Sequence, residues 1–293
     1  MSTRLFVDGA AGTVGSALHP YLEQLQFEGL IELITLPESM RKLEAYRRYA
    51  MRQADLVVVC LPDAEAGEAV ALLEACNPGA RILDASAVHR CHPDWVYGLP
   101  ECVSAQDIAQ ARKVANPGCF ATACILGGKP LVDAFGPAQL VFQGITGYSA
   151  GGRKGQAEGT PRLVQFGKAH RHLPEIARYT GAVAPVLTTT VGPWKQGMLV
   201  QTFISQPEDV VLKVYEETYS GNQDVHVVRA ESLNYRVNPK SCNGSNEALI
   251  CVAGQPGGGS CVAVVIDNLG KGSAGAAAAN LRLMLTANNN GKE

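Results

Sequence analysis

The stretch "RLFVDGAAGTVGSALHPYLEQL" constrains this chain more than any other. It opens on a short apolar run, Leu5 to Val7, and passes through closely spaced glycines. It then continues with apolar Val14, Leu18, Leu22 and Leu25 at helical spacing. That is a strand, a tight turn and a helix. Gly9, Gly12 and Gly15 give a G-x-x-G-x-x-G spacing at the junction. Glycine there lets the chain turn tightly and lets backbone N–H groups approach a pyrophosphate lying at the helix N-terminus. The spacing differs from the commoner G-x-G-x-x-G, and by itself it also suits a plain glycine-rich turn. Its place at the first strand–helix junction favours a dinucleotide site, with Gly9, Ala11, Gly12, Thr13, Val14 and Gly15 as the cofactor contacts.

The alternation continues downstream. "GLIELITL", "ADLVVVCLP", "ARILDASA" and "RKVANPG" are apolar segments that each end in a turn or loop. "PESMRKLEAYRRYAMRQA" and "AEAGEAVALLEAC" read as helices between them. Strands alternating with helices predict an α/β, doubly wound parallel sheet of Rossmann type with right-handed crossovers. After about Phe135 the character changes to β-branched, alternating segments with few helices, of which "PEDVVLKVYEETYSG" is the clearest. This predicts a second, α+β domain on a mostly antiparallel sheet. "GKGSAGAAAANLRLMLTA" is again helical and suits packing back on the first domain, while "NNNGKE" reads as a frayed tail. The expected division is a dinucleotide-binding domain over 1–117, completed by a C-terminal helix over 269–293, and a catalytic, substrate-binding domain over 118–268.

Composition excludes several classes. The net charge of −2 over 293 residues, with no basic stripe, argues against nucleic acid or anionic lipid as a partner. No apolar run reaches the roughly 20 residues of a membrane helix. The start does not read as a signal peptide, the nine cysteines are odd in number, and no C-x-x-C pair occurs. The expectation is a cytoplasmic protein with reduced thiols, mostly small buried hydrophobes, and no metal. "HRCH", His89 to His92, is at most a weak metal cluster.

The second strand bears on cofactor choice. An NAD site usually places Asp or Glu near the strand's end to hold the ribose 2′-OH. Here the strand ends at Thr35 and Leu36, and Thr35, Ser39, Arg41 and Lys42 suit a 2′-phosphate. Glu38 argues the other way, and Arg41 and Lys42 also suit a solvated helix face. NADP(H) is the preferred reading.

"NPGCFATACIL" places Cys119 after an Asn-Pro-Gly turn, at the first turn of a helix. Unpaired N–H groups and the helix dipole stabilise a thiolate there, and the same N–H groups suit an oxyanion hole. Cys124 points away and faces the core, and Cys60 in "LVVVC" is structural. A thiolate needs a proton partner, and "AHRHLPEI" offers one. His170 and His172 alternate on an extended segment and share a side, Arg171 lies opposite, and Pro174-Glu175 starts a helix. Which histidine transfers the proton is open, with His172, nearest the helix start, preferred. His19 and His226 read as structural. Arg90 follows a strand end where a substrate carboxylate docks bidentately. "GYSAGGRK" reads as an anion-binding loop with Ser149, Arg153 and Lys154 as contacts. Either arginine is also compatible with an ordinary surface charge.

Taken together, "DGAAGTVG", "DASAVHR", "YGLPE", "NPGCFAT", "GYSAGGRK", "HRHLPEI" and "DNLGKGSAGAAAANLRLML" resemble the N-acetyl-γ-glutamyl-phosphate reductase family, in its short form, across nearly the whole chain. The resemblance implies NADPH-dependent reduction of N-acetyl-L-glutamyl 5-phosphate to the semialdehyde, in arginine biosynthesis, by a dimer or tetramer. It implies Cys119 as nucleophile, acid/base chemistry within the His170/His172 pair, and Arg90 on a substrate carboxylate. Ser86 and Asn268 would lie near the cofactor, with Lys271 and Gly272 of "GKGSAG" on the nicotinamide side. The chain departs from the family at Val88-His89, where Asp-Phe is usual, and at Phe120, where Tyr or Trp is common. Competing readings are an aspartate-semialdehyde dehydrogenase-like enzyme and a non-catalytic NADP-binding sensor.

Overall fold

The computed structural model describes residues 2–154 and 159–286, without the side chains of Arg153 and Lys154. The chain divides into two compact units, Met1–Pro117 with Ser273–Glu293, and Gly118–Gly272. The first unit begins β1 (Thr3–Asp8), α1 (Thr13–Phe27), β2 (Ile31–Ile34), α2 (Glu44–Gln53), β3 (Leu56–Val59) and α3 (Asp63–Cys76). It continues through β4 (Arg81–Asp84), β5 (Val96–Tyr97), α4 (Ala105–Gln110) and β6 (Lys113–Ala115). The six strands pair in parallel in the order β2-β1-β3-β4-β6-β5. Both faces of this sheet are buried, which explains why its strands read as unbroken apolar runs. Leu5, Val7, Leu56 and Val58 enter the core on one face, and Phe6, Val57 and Val59 enter the core on the other. The strand order reverses between β1 and β3, and in open α/β sheets the carboxyl ends of strands at such a point form a ligand crevice.

Two local expectations are corrected. The helix expected from Pro37 begins only at Glu44. Met40 and Arg41 both donate to the Pro37 carbonyl, so the stretch closes as a turn, and the residues that anchor α2, Ala50 and Met51, lie in its second half. β5 and α4 were not expected, being too short to show a period. Ser104 caps α4, its Oγ accepting from the amides of Gln106 and Asp107.

The second unit runs α5 (Cys119–Phe135), β7 (Val141–Thr146), β8 (Arg162–Val164), α6 (Leu173–Thr180) and β9 (Val186–Val191). β10 (Met198–Ile204), α7 (Glu208–Thr218), β11 (Val225–Arg229), β12 (Ala248–Gly254) and β13 (Ser260–Ile266) complete it. Its seven-stranded sheet has the order β11-β12-β13-β10-β7-β9-β8. The sheet is mixed: β7/β9 and β11/β12 pair in parallel, and the other four pairings are antiparallel. The β7-to-β9 connection carries α6, the crossover that a parallel pair needs. Buried α5 packs on one face of the sheet, against β10 and β13. On the other face Val141, Val186 and Phe203 stay exposed, alternating with buried Phe142, Leu187 and Thr202.

A π-turn, Gly270–Ala274, leads into α8 (Gly275–Thr286), which rejoins the first unit. Ala277, Ala278, Leu281, Met284 and Leu285 enter the core beside Leu18, Leu22 and Leu25 of α1. The remainder of the helix expected over 269–293, residues 287–293, lies outside the described residues.

Candidate active site

At the carboxyl end of β1 the chain turns at Gly9, whose φ of +94° is a left-handed value. A Cβ there would also overlap the Cys60 carbonyl oxygen, so only glycine fits. Gly12 donates to the Gly9 carbonyl at 2.9 Å and then acts as N-cap of α1, with no side chain capping the helix. The first-turn N–H groups, on Thr13, Val14 and Gly15, thus lack the side-chain acceptor that usually closes a helix start. A glycine cradle before an uncapped helix fits the pyrophosphate of a dinucleotide. Cys60, beneath this turn, is pushed up to about 12 by burial and by the nearby Asp84 and Asp8 carboxylates, which makes it inert.

Thr35 and Ser39 are exposed beyond β2, and Arg41 pairs with Glu38 at 2.8 Å on the surface. At the end of β4, buried Asp84 accepts from the Ser86 amide at 2.9 Å and the Ser86 hydroxyl at 2.7 Å. His89 Nδ1 also lies 2.6 Å from Asp84, and its ring stacks on Trp95 at 4.1 Å. His89 thus makes one polar contact, to Asp84, and one ring contact, to Trp95. Arg90 is buried, donating through Nε to the Asn116 carbonyl at 2.9 Å and through Nη2 to Ala85 at 3.2 Å. Among the described residues no group of three or more His, Cys, Asp or Glu is placed to hold a metal.

In the second unit Cys119 opens α5, behind an N-cap, Gly118, that supplies no side-chain cap. Phe120, one residue on, meets the His170 ring edge to face at 5.5 Å, and the rings of His170 and His172 lie 4.7 Å apart. The histidine pair therefore packs at the start of α5. It gets there by a different route from the one expected. His172 has φ −86° and ψ −6°, and Leu173 donates to the His170 carbonyl, so a turn rather than an extended segment brings the rings together. The His172 amide donates to His170 Nδ1 at 3.1 Å, which makes that nitrogen the acceptor and leaves Nε2 as the proton-bearing one. Burial, with a contribution from Arg171, lowers His170 to about 4, so its ring is neutral at pH 7.

Glu175 was not singled out by sequence. Its buried carboxylate accepts from the Gly118 amide at 3.3 Å through Oε2, and its Oε1 lies 3.8 Å from His172 Nε2. The available signal was its place three residues after His172 at a helix start. Cys124 lies fully buried, held well above the usual thiol range by burial and by the charges of Glu175 and Cys119. Gly272 lies against the nucleophile candidate, since a Cβ on it would stand 2.8 Å from Cys119 Cβ. Asn268 and Ser149, assigned from sequence to cofactor and substrate respectively, are joined. Asn268 Nδ2 lies 2.9 Å from Ser149 Oγ, and Asn268 Oδ1 accepts from the Gly197 amide at 2.8 Å. Lys271 is buried in the π-turn. The side chains of Arg153 and Lys154 lie outside the described residues.

The parallel sheet with its glycine cradle, and the cysteine at an uncapped helix beside two histidines, are an arrangement of the semialdehyde dehydrogenase class. Residues 5–111 match the model "Semialdehyde dehydrogenase, NAD binding domain", and residues 119–268 match "Semialdehyde dehydrogenase, dimerisation domain". N-acetyl-gamma-glutamyl-phosphate reductase 2 of Pseudomonas putida is 38% identical, covering 97% of each chain. The N-acetyl-gamma-glutamyl-phosphate reductase of Brucella ovis is 36% identical, covering 97% of this chain and 99% of its own. The chain belongs to the N-acetyl-gamma-glutamyl-phosphate reductase family. Its fold is also that of aspartate semialdehyde dehydrogenase II from Vibrio cholerae, with a TM-score of 0.76 over 98% of this chain and 99% of that one, at 15% identity.

Proposed function

We propose that this protein reduces N-acetyl-L-glutamyl 5-phosphate with NADPH to N-acetyl-L-glutamate 5-semialdehyde and phosphate, a step of arginine biosynthesis, in the cytoplasm. The observation that carries this is Cys119 at the uncapped start of α5 with the His170/His172 pair packed there, in a chain of this family. His172 takes the Cys119 proton, and the thiolate sulfur attacks the acyl phosphate carbon. The first-turn N–H groups of α5 hold the oxyanion. The carbon–oxygen bond to phosphate breaks, the imidazolium of His172 returns its proton to the departing phosphate, and a thioester on Cys119 remains. Hydride for reduction of that thioester is what the nicotinamide supplies when bound. The C–S bond then breaks, Cys119 leaves as thiolate, and a proton from water, taken up through His172, restores the thiol. Glu175 steadies the His172 imidazolium, and neutral His170 offers its Nε2 proton to a substrate oxygen.

The residues expected to hold each partner have a consistent chemistry. Gly9, Ala11, Gly12, Thr13, Val14 and Gly15 hold the cofactor pyrophosphate, Thr35, Ser39 and Arg41 the 2′-phosphate, and Ser86, Asn268, Lys271 and Gly272 the remainder. Arg90, braced by two main-chain carbonyls, receives a substrate carboxylate, with Ser149, Arg153 and Lys154 on the other anionic groups. The exposed apolar residues Val141, Val186 and Phe203, on the sheet face away from α5, form the contact between two copies of the chain. Purified protein should oxidise NADPH with N-acetylglutamyl phosphate and much less with aspartyl phosphate. Cys119→Ala should abolish turnover and keep NADPH affinity. Turnover retained in that variant would move the nucleophile elsewhere, and nucleotide binding without any turnover in the wild type would mark a sensor.

A further inference from the structure

The carboxyl edge of the parallel sheet, where the proposed function seats a dinucleotide, carries two buried carboxylates. Asp84 ends β4 with no exposed surface, and Asp8 ends β1 at 3% exposure, one residue before Gly9. A site for a polyanion is a poor place for uncompensated negative charge. Asp84 is answered locally by Ser86 and His89. Asp8 is answered from 39 residues away. Arg47, on α2, donates through Nε to both carboxylate oxygens at 3.1 Å and through Nη2 to Oδ2 at 2.6 Å. The fork is four-fifths buried at Arg47 and almost wholly buried at Asp8, so water screens it little. Asp8 is further fixed by its carbonyl, which accepts from the Cys60 amide at 2.7 Å. The pair thus sets both the charge and the position of the residue that leads into the glycine turn.

We infer that Arg47 is a positioning residue for the cofactor: by clamping and neutralising Asp8 it makes the end of β1 compatible with the pyrophosphate. This rests on the dinucleotide reading of the glycine turn and is independent of which acyl phosphate is reduced. The pyrophosphate is common to NADPH and NADH, so the effect falls on both alike. It is separate from the 2′-phosphate contacts assigned to Thr35, Ser39 and Arg41.

The test is a fluorescence titration of NADPH and of NADH against the full-length protein, without acyl phosphate. Arg47→Leu should weaken both nucleotides about tenfold or more, as a bare charge beside a polyanion requires. Asp8→Asn combined with Arg47→Leu should recover most of that loss, because the charge has gone with its partner. Should Arg47→Leu fail to fold, Arg47→Lys, which keeps the charge, should bind both nucleotides within about threefold of wild type. A loss confined to NADPH would make Arg47 a direct 2′-phosphate ligand and overturn the inference. So would a loss that Asp8→Asn does not relieve, or an Arg47→Lys variant that folds and binds neither nucleotide. A wild-type protein that binds neither nucleotide overturns the cofactor reading together with this inference. Binding without acyl phosphate turnover overturns the activity alone.

Discussion

Gly272→Ala adds one methyl group against the proposed nucleophile. The new Cβ would stand 2.8 Å from Cys119 Cβ and 3.1 Å from Cys119 Cα. Carbon atoms rest about 3.5–4.0 Å apart, so roughly 0.7 Å or more has to open. The side that yields is decided by anchoring. The Gly272 amide donates to the Asp267 carbonyl at 2.9 Å. Buried Asp267 in turn accepts from the Gly244 amide at 2.8 Å, from Gln196 at 2.5 Å and from the Leu269 amide at 2.9 Å. The loop from Asp267 to Gly272 is therefore the stiffer partner, and Cys119, the first residue of its helix, moves. Displacing a reacting group by about 1 Å costs on the order of a hundredfold in rate. Overpacking costs about 1–3 kcal/mol of stability. The better helix propensity of alanine offsets up to about 1 kcal/mol of it. Three measurements check this: kcat with acyl phosphate and NADPH, the thermal midpoint, and the iodoacetamide alkylation rate of Cys119 read by peptide mass spectrometry without nucleotide. We expect kcat to fall about a hundredfold, with a clear change in alkylation rate. A kcat within about twofold of wild type and an unchanged alkylation rate would refute the reasoning, because the loop would then be the part that gives.

Two further outcomes follow from one half-buried and one buried polar group. His170 titrates at about 4 in the folded chain, against 6.5 for a free histidine, chiefly because burial penalises its charged form. The unfolded chain therefore binds the proton first, so His170's contribution is complete above pH 6.5 and is lost as pH falls from there to about 4. Urea midpoints across that window should decline less steeply in His170→Phe than in the wild type, and equal slopes would contradict the assignment. Asn280, wholly buried on α8, donates through Nδ2 to the Gly98 carbonyl at 2.9 Å and lies 3.0 Å from Asn116 Oδ1. Asn280→Ala should leave the Gly98 carbonyl unsatisfied and lower the unfolding free energy by about 1–3 kcal/mol, measured by denaturant unfolding.

The sequence determined what local spacing can carry. The glycine turn between Val7 and Val14 and the unbroken apolar strands gave away the parallel sheet, since each signal lies within one element and the period reports burial directly. Cys119 stood out because an Asn-Pro-Gly turn before a helix is itself a local signal. Short elements such as β5 and α4, and the turn that replaces the first part of the expected α2, were hidden because too few residues carry a period. Only the tertiary structure decided the pairings of residues far apart in the chain. Asp8 meets Arg47 39 positions later, Cys119 is closed in by Gly272, and Glu175 reaches back to the Gly118 amide. The histidine rings meet through a turn whose dihedral angles nothing in "HRHLPEI" spells out. Such contacts are set by how packed elements bring their ends together, and a residue's type alone does not say which distant partner will satisfy a buried charge.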